Sequence, residues 1–200
     1  PMLPRPVSSI CHSHAHTPAR YSARLRTPRG CVSPVLRRWL LAPGSLTARL
    51  REHGAVTVQV TRQGRLPLWP QEQDALRSRE GHVREVVLWV DGRAAVWARS
   101  VTPLSAVKGP WQAIKGLGTR PLAELLFTRR QVQRDPLLGE RLARQSAAHQ
   151  HIVREWQRLG LLASDAAPVW CRRSVFWHRG HPLQVMESFA PWVTALLTTR

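Results

Sequence analysis

Apolar and polar residues alternate along two stretches of the chain, each interrupted by a glycine-bearing dipeptide. Val86–Val90 and Ala94–Val101 flank Asp91-Gly92, a pair suited to a type I′ turn because both of its central residues take positive φ. A β-hairpin is predicted there. Val169–Trp177 and Leu183–Phe189 flank Arg179-Gly180 and predict a second. Val56, Val58 and Val60 alternate with Thr57, Gln59 and Thr61, a further strand. Leu66-Pro67-Leu68-Trp69-Pro70 reads as a proline-rich loop.

Helical signals are shorter. Ser33 as N-cap and Pro34 at the first position open a helix through Trp39, Leu40 and Leu41, broken by Pro43-Gly44. Ser45 caps a second helix from Leu46 to His53, closed by Gly54. Ser105 to Lys115 reads as helical with a bend at Gly109-Pro110. Pro121 opens another helix through Leu122, Leu125 and Leu126. Residues 140–159 predict one long helix, with Leu142, Ile152, Trp156 and Leu159 near one face and Gly160 at its end. Strands joined by hairpins and helices in short pairs point to an α+β domain with an antiparallel sheet, not a doubly wound one.

At 200 residues, 43% hydrophobic and 21% charged, the chain is of a size and composition for one domain with a proper core. No apolar run approaches the ~18–20 residues of a membrane helix, so no membrane insertion is expected. Three widely spaced cysteines, Cys11, Cys31 and Cys171, argue against a disulfide framework or zinc site and for a reducing cytoplasm. The net charge is +18, and residues 1–51 carry half of it, with nine Arg and no acid before Glu52. Such a balance raises nucleic acid as a partner, but no binding module accompanies it and none is expected. Residues 1–32 read as a flexible basic extension, in which His12, His14 and His16 form a loose trio rather than a metal site. A secretory signal is excluded by the missing apolar stretch, whereas a transit peptide is not.

P-loop, G-x-G-x-x-G, H-E-x-x-H and G-x-S-x-G motifs are absent. The informative residues are charges in apolar places. Glu187 shares a strand face with Leu183, Val185 and Phe189, so its carboxylate points toward the core, where it needs a partner. The partner could be a ligand, a structural arginine, or water at the end of the sheet. Arg84 shares a face with Val86, Leu88 and Val90, and a two-residue loop would set Arg99 opposite it. Two facing guanidiniums repel. They either splay to solvent or meet an anion, such as a ligand or Glu187. The helix starts Ser45-Leu46 and Pro121-Leu122 each offer unpaired backbone N–H groups to an anion, a feature that counts only if both converge on the arginines.

With these residues the chain resembles the chorismate lyase (chorismate–pyruvate lyase) family. The matching stretches run from Trp39-Leu40-Leu41 to Ser45-Leu46-Thr47, then Arg84-Glu85-Val86-Val87-Leu88 with Asp91-Gly92, and Arg99-Ser100-Val101-Thr102-Pro103. Leu117-Gly118-Thr119-Arg120-Pro121-Leu122, Leu126-Phe127-Thr128, Arg134-Asp135, Arg172-Arg173-Ser174 and Met186-Glu187-Ser188-Phe189-Ala190-Pro191 follow in family order. The resemblance implies a domain over residues 33–200, a six-stranded antiparallel sheet with helical lids over a buried ligand, and residues 137–168 as an apparent helical insertion. It implies cleavage of chorismate to 4-hydroxybenzoate and pyruvate, the first committed step toward ubiquinone, without metal or organic cofactor. The family's ligand arginine falls on Arg84, its ligand glutamate on Glu187, and its two backbone contacts on Leu46, a position often held by Met, and Leu122.

On that implied reading the N–H groups of Leu46 and Leu122 hold the ring carboxylate. Arg84 binds anionic oxygen on the enolpyruvyl side, Glu187 accepts the ring hydroxyl, and Arg99 supports Arg84 or binds the second carboxylate. A monomer is expected. The rival readings are a non-catalytic small-acid-binding domain of the same fold, as in some bacterial transcription regulators, and a lyase giving another hydroxybenzoate isomer.

Overall fold

The structure is a computed structural model that describes residues 23–26, 32–128, 131–162 and 168–195. Both anticipated hairpins form. Strand β3 (Glu80–Val90) turns through Asp91 and Gly92, φ 46° and 76°, into β4 (Arg93–Pro103). Strand β7 (Trp170–His178) turns through Arg179 and Gly180, φ 49° and 77°, into β8 (His181–Phe189). The hairpins join side by side through β4 and β8. Strand β2 (Val56–Pro67) extends the sheet beyond β3, and β6 (Leu137–Arg141) extends it beyond β7.

The run β2-β3-β4-β8-β7-β6 is antiparallel throughout and has the six strands that the resemblance implies, but β6 falls within residues 137–168, the stretch expected to be a helical insertion, so that stretch starts as part of the sheet. Two three-residue strands raise the total to eight: β1 (Ala23–Leu25), parallel to β6, and β5 (Val132–Arg134), paired with β7. The sheet is therefore mixed. Residues 23–25 belong to it, although they fall in the stretch read as an extension. The His12, His14 and His16 trio, Cys11 and Cys31 lie outside the described residues.

Other differences have local causes. Helix α1 (Pro34–Leu40) and helix α2 (Leu46–Arg51) start where Ser33 and Ser45 place them, each hydroxyl accepting from the third residue on. The proline-rich stretch is not all loop: β2 reaches Pro67, and helix α3 (Pro70–Leu76) starts on Pro70, with the Glu72 carboxylate accepting from the Trp69 N–H. The helical stretch before Gly116 consists of two 3₁₀ turns, 106–108 and 112–116, and helix α4 is Leu122–Thr128. The long helix is confined to α5 (Ala147–Arg158), capped by Ser146. Leu142 lies outside it, and Glu140 and Arg141 belong to β6. There Gly139 takes a position where a side chain would press on Leu25 and Leu40.

Alternation divides the core between the sheet's two faces. On one face α4 and the 3₁₀ turns bury Trp111, Ile114, Leu125 and Leu126 against Phe176, Leu183 and Val185. On the other, α3 covers Val83 and Val101, and Trp156 of α5 donates through Nε1 to Ser188 Oγ. Among the described residues no helix is long and apolar enough to cross a membrane. Cys171 is buried, and burial pushes its thiol well above the usual range.

Candidate active site

A cavity lies on the α4 face. Its floor is the sheet: Arg84, Val86 and Leu88 of β3, Ala98 and Ser100 of β4, Val185 and Glu187 of β8, and Arg172 and Phe176 of β7. Its roof is formed by the start of α2 (Gly44, Leu46, Thr47), the start of α4 (Pro121, Leu122, Ala123) and Phe127. The two helix starts thus converge on Arg84, the condition under which they become informative.

Arg84 is 2% exposed. Its Nη2 donates to the carbonyls of Gly118 (2.9 Å) and Arg120 (3.2 Å), the residues that lead into α4. Its Nε has no hydrogen-bond partner, and no carboxylate among the described residues lies within ion-pair distance. Burial alone pushes the guanidinium below its ordinary pKa. Taking a cation out of water without an opposing charge is costly, so the local structure favours an anion beside it.

Glu187 also faces the cavity, but its partner is Arg172, directly across the β7–β8 hairpin, with Nε to Oε2 at 2.5 Å. Arg172 is itself 2% exposed, and its Nη1 donates to the Ala42 carbonyl at 3.0 Å. Arg134, on β5, enters the same wall, with Nε and Nη2 both on Ser174 Oγ (3.1 and 2.6 Å). Sequence reasoning assigned neither Arg172 nor Arg134 to the site. The signal for Arg172 was present: a two-residue loop at Arg179-Gly180 counts back to an Arg172–Glu187 pair.

Arg99 is not brought to the cavity. A register shift between Leu88 and Trp89 inserts an extra residue in β4, so Arg84 opposes Ser100 and Arg99 opposes Glu85. One step of register reverses the face. Arg99 points to the opposite side, where its Nε and Nη2 donate to Glu72 (2.8 Å each) and its Nη1 to Glu85 (2.6 Å). Burial alone would lower its pKa, but Glu72 and Glu85 outweigh that and raise it. The expected contact of Arg99 with Arg84 is replaced by a buried ion cluster behind the site.

Fold and cavity together define an α+β domain with an arginine-lined pocket on one face of its sheet. Residues 26–197 match the profile of the family described as chorismate lyase, and the chain belongs to that family. It is 46% identical over 176 residues to a probable chorismate pyruvate-lyase of Albidiferax ferrireducens, covering 82% of this chain and 86% of that one. It is 40% identical over 171 residues to that of Bordetella avium, covering 84% and 82%. Among solved structures, PhnF from Mycobacterium smegmatis shares the fold at 17% identity and TM-score 0.53, over 76% of this chain and 65% of that one. The C-terminal domain of the histidine utilization repressor from Pseudomonas syringae pv. tomato does so at 14% and 0.50, over 73% and 98%.

Proposed function

We propose that this protein is a lyase that removes pyruvate from chorismate and leaves 4-hydroxybenzoate, the first committed step toward ubiquinone, using no metal or organic cofactor. The observation that carries the reading is Arg84: a buried cation without a carboxylate partner among the described residues, beside two helix starts, in a pocket on the sheet. Family membership and the names of the relatives supply the substrate class.

Chorismate is a dianion whose enolpyruvyl ether neighbours a ring carbon bearing a hydroxyl and a hydrogen. In the reaction the ring C–O bond breaks and that hydrogen leaves its carbon. The ether oxygen departs with the three-carbon fragment as enolpyruvate, whose methylene carbon takes up a proton in place of the one lost from the ring to give pyruvate, and the ring becomes aromatic. Aromatisation drives the step, so the protein needs only to hold a reactive conformer and meet developing charge. No nucleophile is required.

The first N–H groups of α2 and α4, at Leu46 and Leu122, bind the ring carboxylate. Arg84 joins them, in place of the enolpyruvyl-side role expected from the sequence, because its guanidinium rests on the Gly118 and Arg120 carbonyls just before Leu122. Glu187, held by Arg172, accepts the hydrogen bond of the ring hydroxyl and sets the ring's rotation. Val86, Leu88, Val185 and Phe176 supply the apolar walls that exclude water.

Incubating the purified chain with chorismate and identifying the aromatic product tests this directly. Equimolar pyruvate and 4-hydroxybenzoate are expected. Binding without pyruvate release would overturn the enzyme reading in favour of a ligand-binding domain, and a different hydroxybenzoate isomer would overturn the product assignment.

A further inference from the structure

Breaking the ring C–O bond builds negative charge on the ether oxygen, and a donor aimed at that oxygen speeds the step. The cations of the pocket are engaged elsewhere. Arg84 goes to the ring carboxylate in the reading above. Arg172 donates to Glu187 and to the Ala42 carbonyl. Arg134 donates to Ser174 Oγ and to the Gly44 carbonyl. A neutral donor is left to meet the departing oxygen, and the sheet register locates one.

Strand β4 runs between β3 and β8, about 4.8 Å from each. Arg84 of β3 opposes Ser100 of β4, and Glu187 of β8 opposes Ala98. A line from Arg84 to Glu187 therefore crosses β4 between Ser100 and Ala98. A ring held at both ends lies over these two residues, and both line the cavity floor. Ala98 offers only a methyl group. Ser100, 5% exposed, carries the hydroxyl among the described floor residues. Its Oγ donates to the Arg84 carbonyl at 3.3 Å, longer than an ordinary O–H···O bond. So long a bond is readily exchanged for a better acceptor. The roof's hydroxyl, Thr47, follows Leu46 on α2, the helix whose start takes the ring carboxylate.

We propose that Ser100 is a further catalytic residue, whose hydroxyl donates a hydrogen bond to the enolpyruvyl ether oxygen of chorismate as the ring C–O bond breaks. The role rests on the lyase reading above and deepens it by naming the donor for the departing oxygen. In this step the C–O bond pair leaves with the oxygen, and the C–H pair of the neighbouring ring carbon becomes ring π electrons. The proton lost from the ring is matched by the one gained at the methylene carbon, and Ser100 keeps its own. The product has no oxygen at that ring position. Ser100 therefore acts in turnover and not in product binding, as an interaction that is strongest in the transition state must.

Single-turnover rates, with the full chain in excess over chorismate, test this because product release then cannot mask the chemical step. Ser100→Ala should slow pyruvate formation at least about tenfold, the worth of one hydrogen bond to a charged oxygen, while Kd for 4-hydroxybenzoate changes by less than about twofold. Ser100→Thr keeps the hydroxyl and should recover most of the rate. A Ser100→Ala protein at the wild-type rate would overturn the role. So would one that loses rate and product affinity to the same extent, the mark of a distorted pocket, or a Thr variant as slow as the Ala variant. If Ser100→Ala does not fold by circular dichroism, Ser100→Cys, a weaker donor, decides by the same criterion. Wild-type protein that releases no pyruvate would sink the lyase reading and this role with it, whereas wild-type turnover beside an unimpaired Ser100→Ala would sink this role alone.

Discussion

Arg172 and Glu187 face each other across the β7–β8 hairpin, Nε to Oε2 at 2.5 Å, with Arg172 almost fully buried and Glu187 reaching the cavity. The orienting role proposed for Glu187 would therefore depend on a cation three strands from Arg84, and the pair must be perturbed with that in mind.

Glu187→Gln keeps a carbonyl that can accept the ring hydroxyl, whereas Glu187→Ala removes the acceptor. The Ala variant should lose more kcat/KM on chorismate than the Gln variant, and the two behaving alike would remove the orienting role. Both leave Arg172 buried without its counter-charge, so both should also lose stability, by about 3–5 kcal/mol if nothing relaxes, read from urea unfolding.

The two hairpins show what was legible in the sequence. At Arg179-Gly180 the count from the turn holds down to Arg172–Glu187. At Asp91-Gly92 it holds only through Val90–Arg93 and Trp89–Ala94, because the shift at Leu88/Trp89 moves every later pair by one. A bulge is a one-residue event, and here no glycine or proline marks it: Ala94-Ala95-Val96 reads as ordinary strand. Arg84 and Glu187 were readable because each sits among apolar residues of its own strand. Arg134 was not, because β5 has only three residues and its place depends on pairing with β7. The misplaced helix start at 140 has the same origin. Short strands such as β6 carry too few residues to set a period, and apolar residues at helical spacing then take over.

Arg99→Met separates the back of the sheet from the cavity. It leaves Glu72 and Glu85, 1% and 2% exposed, without their shared cation. A loss of about 3–5 kcal/mol is expected, which is a Tm drop on the order of 10 °C for a chain this size. At a temperature where the variant stays folded, KM for chorismate should remain within a few-fold of wild type. A large KM change there would return Arg99 to the site.

Acid should weaken the same cluster. Burial alone would raise the Glu85 pKa, but the hydrogen bond and charge of His151, with those of Arg99, overcome it and hold it below 4.5. A carboxyl with a depressed folded-state pKa stabilises above its unfolded value, and that contribution fades as pH falls through the folded one. Stability from Glu85 is thus full at neutral pH and lost below about pH 4.5. His151→Ala should start this loss at higher pH. Thermal unfolding of both proteins from pH 7 to pH 3 checks the sign, and superimposable acid limbs would remove His151 from the cluster's energetics.

If the reaction needs no metal, dialysis against a chelator should leave kcat on chorismate unchanged, and adding back divalent ions should not raise it. Loss on dialysis with recovery on add-back would overturn the cofactor-independent reading.

Arg84 is the place where function and stability should part. Its guanidinium is desolvated, its pKa is pushed down by burial alone, and no carboxylate among the described residues offsets its charge. Such a group is a net cost to the folded state, and replacing a buried charge by an apolar side chain of similar volume is often neutral or stabilising. Arg84→Met should therefore unfold at the same temperature as wild type or higher, although it loses two hydrogen bonds to the Gly118 and Arg120 carbonyls. Its kcat/KM should fall at least about tenfold, since one charge-assisted hydrogen bond to substrate contributes about 1.5–3 kcal/mol and ~1.4 kcal/mol is a factor of ten. Higher stability with lower activity is what a cation kept for a ligand gives. A variant that loses both together would mean that Arg84 mainly anchors the segment leading into α4, and near-normal activity would remove it from the site.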